Sequence, residues 1–135
     1  MRVFLLLLLG LSVIGRAAQA HTIGAPRPAV LRDVEGYAIA VCLVHQAEPY
    51  LKDQGYAWGG AIIQRGKAPI EVLTPIEDAV KHEIAKGYMA IIHVDTNPPE
   101  DKAAPILYCG EIIDTPSVRA AIQKTISKLK PFYRQ

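Results

Sequence analysis

The chain has 135 residues and a formal net charge of +2, from 15 Lys and Arg against 13 Asp and Glu. This length predicts a single domain and excludes repeat arrays and multidomain enzymes. With 50% hydrophobic and 21% charged residues, it also excludes an intrinsically disordered chain.

Residues 1–20 read as a secretory signal peptide: Arg2, then the apolar stretch Val3 to Ile14, then Ala18-Gln19-Ala20 as an A-x-A cleavage site. The stretch of 12 residues is shorter than the ~20 needed to span a bilayer, and no later segment is long and apolar enough. The mature chain is expected to start at His21, and the protein to be periplasmic. Loss of Arg2 and Arg16 leaves 13 basic against 13 acidic residues. Without a clustered cationic excess the chain lacks the footprint of a nucleic-acid binder. Lys124, Lys128 and Lys130 fit a favourable charge at a helix C-terminus.

Residues 21–32 are expected to form a flexible arm, with prolines, a glycine and no periodicity. Residues 21–135 form the single domain. Val34, Tyr37, Val41 and Val44, with Ala38 and Cys42 beside them, predict an amphipathic helix from Asp33 to Gln46. Pro49 interrupts that pattern. Tyr56-Ala57-Trp58-Gly59-Gly60-Ala61-Ile62-Ile63 resumes it, with glycines that permit close backbone approach beside Trp58.

Thr74-Pro75-Ile76-Glu77 supplies an N-cap hydroxyl, a proline at the first helical position and a Glu at N3. Ile76, Val80, Ile84, Tyr88 and Ile91 then predict an apolar stripe continuing to His93. Val94 to Lys102 reads as an exposed acidic loop broken by Pro98 and Pro99. Ala90 to Val94 is Val/Ile-rich but lacks strict alternation, so no strand is expected there. Pro105 opens a short helix carrying Ile106, Cys109, Ile112 and Ile113. Thr115-Pro116 opens a last one, with Val118, Ile122, Ile126 and Leu129, stopped by Pro131. The expected fold is all-α, a compact domain of four to five helices stapled by one disulfide.

That disulfide would join Cys42 and Cys109, the two cysteines of an exported chain, which both fall on apolar helix faces. Metal binding is the competing reading, but neither cysteine has a Cys or His at short ligand spacing. His82-Glu83 begins an H-E-x-x-H motif that Lys86 breaks. Ser117 and Ser127 have no nucleophile elbow, pairing removes a free thiol, and there is no glycine-rich phosphate loop. His45, His82 and His93 lack a partner motif and read as surface or boundary residues. Glu77-Asp78 is explained by helix capping. No catalytic residue, metal ligand or cofactor is expected.

Tyr37 and Cys42 on the first helix, Asp95, Asn97, Pro98 and Glu100 in the loop, then Ala104, Leu107 and Cys109 before a terminal amphipathic helix give a pattern over residues 33–132. It resembles the type VI secretion amidase immunity proteins, although Tyr108-Cys109-Gly110-Glu111 replaces a Lys-Cys-Leu-Asp-like run. The resemblance implies a periplasmic, non-enzymatic inhibitor of a peptidoglycan amidase effector, in a family that forms homodimers and inserts an inter-helix loop into the amidase cleft. Asp95, Asn97, Pro98, Glu100 and Asp101 would then be the partner-binding residues. The alternative is a small helical single-disulfide acid-stress chaperone of the periplasm.

Overall fold

A computed structural model describes residues 27–66 and 69–133. The expected signal peptide and the first part of the arm lie outside these residues. Five helices, α1 (Ala29–Val44), α2 (Pro49–Arg65), α3 (Thr74–Ile84), α4 (Pro105–Glu111) and α5 (Pro116–Leu129), surround one core. One two-stranded antiparallel sheet, β1 (Ile91–Val94) with β2 (Glu100–Ala103), joins α3 to α4. The mostly helical fold with one disulfide is as the sequence predicts, and the sheet is an addition to it.

Helix α1 is the central element and packs on α2, α3, α4 and α5. It starts at Ala29, four residues before the expected Asp33, and residues 29–32 belong to it rather than to an arm. The reason is that Val30 extends the buried series Val34, Tyr37, Ala38 and Cys42 by one turn. Burial of that face outweighs the weak helix signal of the Pro-flanked start.

Pro49 does not interrupt a helix; it occupies the first turn of α2, where a missing N–H costs nothing. The inward face of α2 is Leu51, Gly55, Gly59 and Ile62, at four- and three-residue steps. Gly55 is a close-approach position: a Cβ there would lie 2.7 Å from both Ala40 O and Val44 N on α1. Trp58 lies over Gly36, with a Cβ at Gly36 meeting its ring at 3.3 Å. The approach expected beside Trp58 therefore uses a glycine of α1 as well as those of α2.

A single 3-10 turn, Ile70–Leu73, runs directly into α3. Thr74 is consequently inside helical backbone, its N–H already bonded to Glu71 O, and its hydroxyl makes no cap. Ile76 and Val80 are buried as expected, but α3 ends at Ile84 instead of continuing to His93. Gly87 is the cause. It takes φ +77, the left-handed conformation that terminates helices, and its N–H bonds to Ile84 O. Tyr88 and Ile91, expected on the buried stripe, are instead 74% and 50% exposed.

Helix α4 delivers Cys109 to the core while Ile106, expected on its apolar face, is 67% exposed. A 3-10 turn, Ile112–Asp114, then buries Ile112. In α5 Val118, Ile122, Ile126 and Leu129 are buried as predicted, together with Thr125. Thr115 stands at the N-cap position, but its hydroxyl donates backwards to Ile112 O at 2.8 Å. None of the described helices is long and apolar enough to cross a membrane.

Candidate interaction site: an acidic hairpin

Asp95, Asn97, Pro98, Glu100 and Asp101 all fall on one exposed protrusion, so the expected loop is one continuous element. It is more ordered than a loop. Ile91, Ile92, His93 and Val94 pair with Ala103, Lys102, Asp101 and Glu100 in turn. The alternation test failed here because it presumes one buried and one solvated face, whereas only Val94 of these eight residues is even partly buried.

Residues 95–99 close the hairpin, with a cis Asn97–Pro98 bond. The Thr96 N–H donates to Val94 O at 2.8 Å, and the Thr96 hydroxyl donates to Pro98 O at 2.8 Å. Charge is distributed unevenly along this element. His93 Nδ1 is 2.5 Å from Asp101 Oδ1 across the strands, and Lys102 Nζ is 3.3 Å from Glu100 Oε2. Asp95 has no cationic partner among the described residues. Tyr88, Met89, Ile106 and Leu107, flanking the two strands, are also exposed.

The two feet of the hairpin differ. The first is reached from α3 through residues 85–90, of which only Ala90 is even partly buried. The second leads through α4 to Cys109, which is bonded to Cys42 of α1 with a Cα–Cα distance of 5.5 Å. Both cysteines have zero exposure, and the Gln46 side-chain amide beside them donates to Cys42 O at 3.0 Å. A protrusion paired across its strands and anchored through one foot loses less entropy on binding than a free loop of the same length.

The remaining polar clusters serve packing. Glu83 is buried; Lys86 Nζ donates to it at 2.7 and 2.8 Å, and the Ser117 hydroxyl of α5 donates to it as well. Those bonds, Lys86 first, hold its carboxyl below the usual glutamate range. Such a group is a poor general base, and Ser117 is thereby used as a bridge from α5 to α3. Glu77 does not reach back to cap α3 but accepts the Tyr37 hydroxyl. Burial and that carboxylate push the Tyr37 phenol far above its ordinary range.

Sequence reasoning missed a second cluster, built on α1. Asp33 accepts from Arg65 Nη2 at 2.5 Å and from the Tyr133 hydroxyl at 2.9 Å, and burial pushes the Tyr133 phenol up to about 12. Glu35 accepts from Arg27 at 2.5 Å and Arg119 at 2.8 Å. No local signal in the sequence marks these partners, which come from α2 (Arg65), α5 (Arg119), the residues just before α1 (Arg27) and the last 3-10 turn (Tyr133). His45, His82 and His93 are exposed, and among the described residues no three His, Cys, Asp or Glu side chains gather as metal ligands. Comparison with protein-family models, curated proteins and solved structures finds no match to this chain.

Proposed function

We propose that this protein is an exported inhibitor that binds a peptidoglycan amidase of a type VI secretion system, with the β1–β2 hairpin as its contact element. The observation that supports this reading is the hairpin itself: an acidic protrusion, exposed from Asp95 to Lys102, whose second foot leads through α4 to the buried disulfide. A protrusion of this kind can fill a cleft and block it sterically, while its carboxylates select a cationic rim and speed association. Asp95 is the strongest candidate for direct charge pairing, because Glu100 has Lys102 beside it and Asp101 is hydrogen-bonded to His93.

Co-production with a periplasmic amidase effector tests the reading. Protection from lysis and a tight complex at neutral pH are expected, and the Asp95→Ala/Glu100→Ala/Asp101→Ala variant should lose binding. Unchanged affinity in that variant would move the contact elsewhere. The chaperone reading draws on a different observation, the buried Glu83, whose charged form is held by Lys86 and Ser117 and would be lost in acid. It predicts no amidase complex, and suppression of client aggregation confined to acid.

A further inference from the structure

We propose that a hollow between α1 and α2 is a binding site for a small anion, a carboxylate or phosphate attached to a flat ring. The hollow measures about 420 Å³ and is lined by Arg27, Arg32, Arg65 and Trp58 among others, a volume within the range of small-molecule sites. These four residues are scattered in the sequence. The packing of α1 on α2 gathers them, because Arg32 and Gly36 lie one turn apart on α1 and Trp58 and Arg65 lie two turns apart on α2.

The work these arginines do in the fold leaves donors unused. Arg65 binds Asp33 through Nε at 3.3 Å and Nη2 at 2.5 Å, and Arg27 binds Glu35 through Nη1 at 2.5 Å. A guanidinium carries five N–H groups, so both keep free ones while a carboxylate fixes their position. Those carboxylates are buried and the two arginine side chains about half exposed, so the cations form the outer layer. Arg119 covers the second oxygen of Glu35 at 2.8 Å, which leaves neither oxygen of the one acid lining the hollow without a cation. Arg32 is different again. Its side chain makes no hydrogen bond among the described residues, lies 3.7 Å from Asp33 Oδ1 and is 58% exposed. It also stands in the first turn of α1, where the helix dipole disfavours a cation and no acid compensates.

Trp58 supplies the other half of the site. Its Cζ2 and Nε1 lie 3.3 Å from where a Cβ of Gly36 would be, so the glycine lets the indole settle against α1, yet the side chain stays exposed. An exposed indole offers a stacking surface to a flat ring. Guanidinium forks match the oxygens of a carboxylate or phosphate on the same molecule. The hollow shares no residue with the hairpin, so it stands or falls separately from the inhibitor reading.

Trp58 is the only tryptophan of the chain, so its fluorescence reports on the hollow directly. The test is titration of the purified, oxidised protein with phenyl phosphate and with benzoate, against inorganic phosphate for the charge alone and phenol for the ring alone. At least one of the two ring-bearing anions should give a saturable change, about ten-fold or more tighter than either control and weakened by added salt. The tighter of the two identifies the oxyanion. Arg32→Gln should weaken that binding roughly ten-fold or more and leave the melting temperature unchanged or slightly raised, since this side chain opposes the helix dipole and holds no other element. Trp58→Ala, followed by calorimetry, should weaken it as well. Absence of a saturable change with both anions overturns the proposal. So does equal affinity for inorganic phosphate or phenol, or binding that survives Arg32→Gln or Trp58→Ala undiminished.

Discussion

Two glycines of one helix should respond in opposite directions to the same substitution. A Cβ at Gly55 would meet the backbone of α1 at 2.7 Å, and backbone cannot rotate away. Overpacking of this kind costs about 1–3 kcal/mol, more than the ~1 kcal/mol that alanine gains over glycine in a helix. Gly60 has nothing within 4 Å of the same position, so only the helix term operates. We expect Gly55→Ala to lower the urea midpoint and Gly60→Ala to raise it. Equal shifts would show that α2 can move off α1 without loss. Glu83 makes a second residue-scale prediction. Its folded pKa is depressed, so its contribution is present above the ordinary value of about 4.3 and is lost as pH falls through the folded value. Glu83→Gln should therefore be less stable at neutral pH and show a flatter decline below about pH 4.3 than the parent does. A variant whose acid unfolding curve keeps the parent's slope would place the acid sensitivity on other carboxylates.

At the scale of the element, the hairpin divides into a part the sequence disclosed and a part it concealed. The exposure of Asp95 to Lys102 was legible because paired prolines and adjacent acids cannot enter a core. The strands were not, since Ile91 and Ile92 look like the continuation of the α3 stripe and both remain half-exposed. Gly87 was the available signal, three residues past Ile84, where the stripe stops fitting, and Lys86-Gly87 is a helix stop on sequence grounds alone. The three hairpin acids should matter to binding and hardly to folding. Each is exposed, and surface substitutions usually stay within ~0.5 kcal/mol. We expect the triple alanine variant to keep its melting temperature while weakening amidase binding by more than about 1 kcal/mol and reducing its salt dependence. A large loss of stability would mean that the His93–Asp101 hydrogen bond and the Lys102–Glu100 ion pair hold the hairpin together, against the modest worth of exposed polar contacts.

For the whole molecule, the amphipathic stripes of α1 and α5 and the two cysteines already implied a helical domain closed by a long-range staple. What they could not supply was the partner of each buried charge, because Asp33, Glu35 and Glu83 are matched with cations and hydroxyls from up to 100 residues away. The staple and the charge network act on different parts of the fold. α1 packs on α2, α3 and α5 through apolar faces and the Asp33 and Glu35 clusters, whereas α4 is short, with Cys109 as its only buried residue. Closing a loop with a sequence separation of 67 is worth about 4 kcal/mol on the chain-entropy estimate, against roughly 5–15 kcal/mol for a whole domain. Cys42→Ala with Cys109→Ala should thus lower stability by several kcal/mol without erasing the helical signal. The damage should also be local: amides of α4 and the hairpin should exchange faster in the double variant, while the buried turns of α1 and α5 keep protection relative to global unfolding. A uniform rise in exchange across all five helices would contradict this, and would mean that the Cys42–Cys109 bond holds the α1 bundle itself together and not chiefly the segment that carries the hairpin.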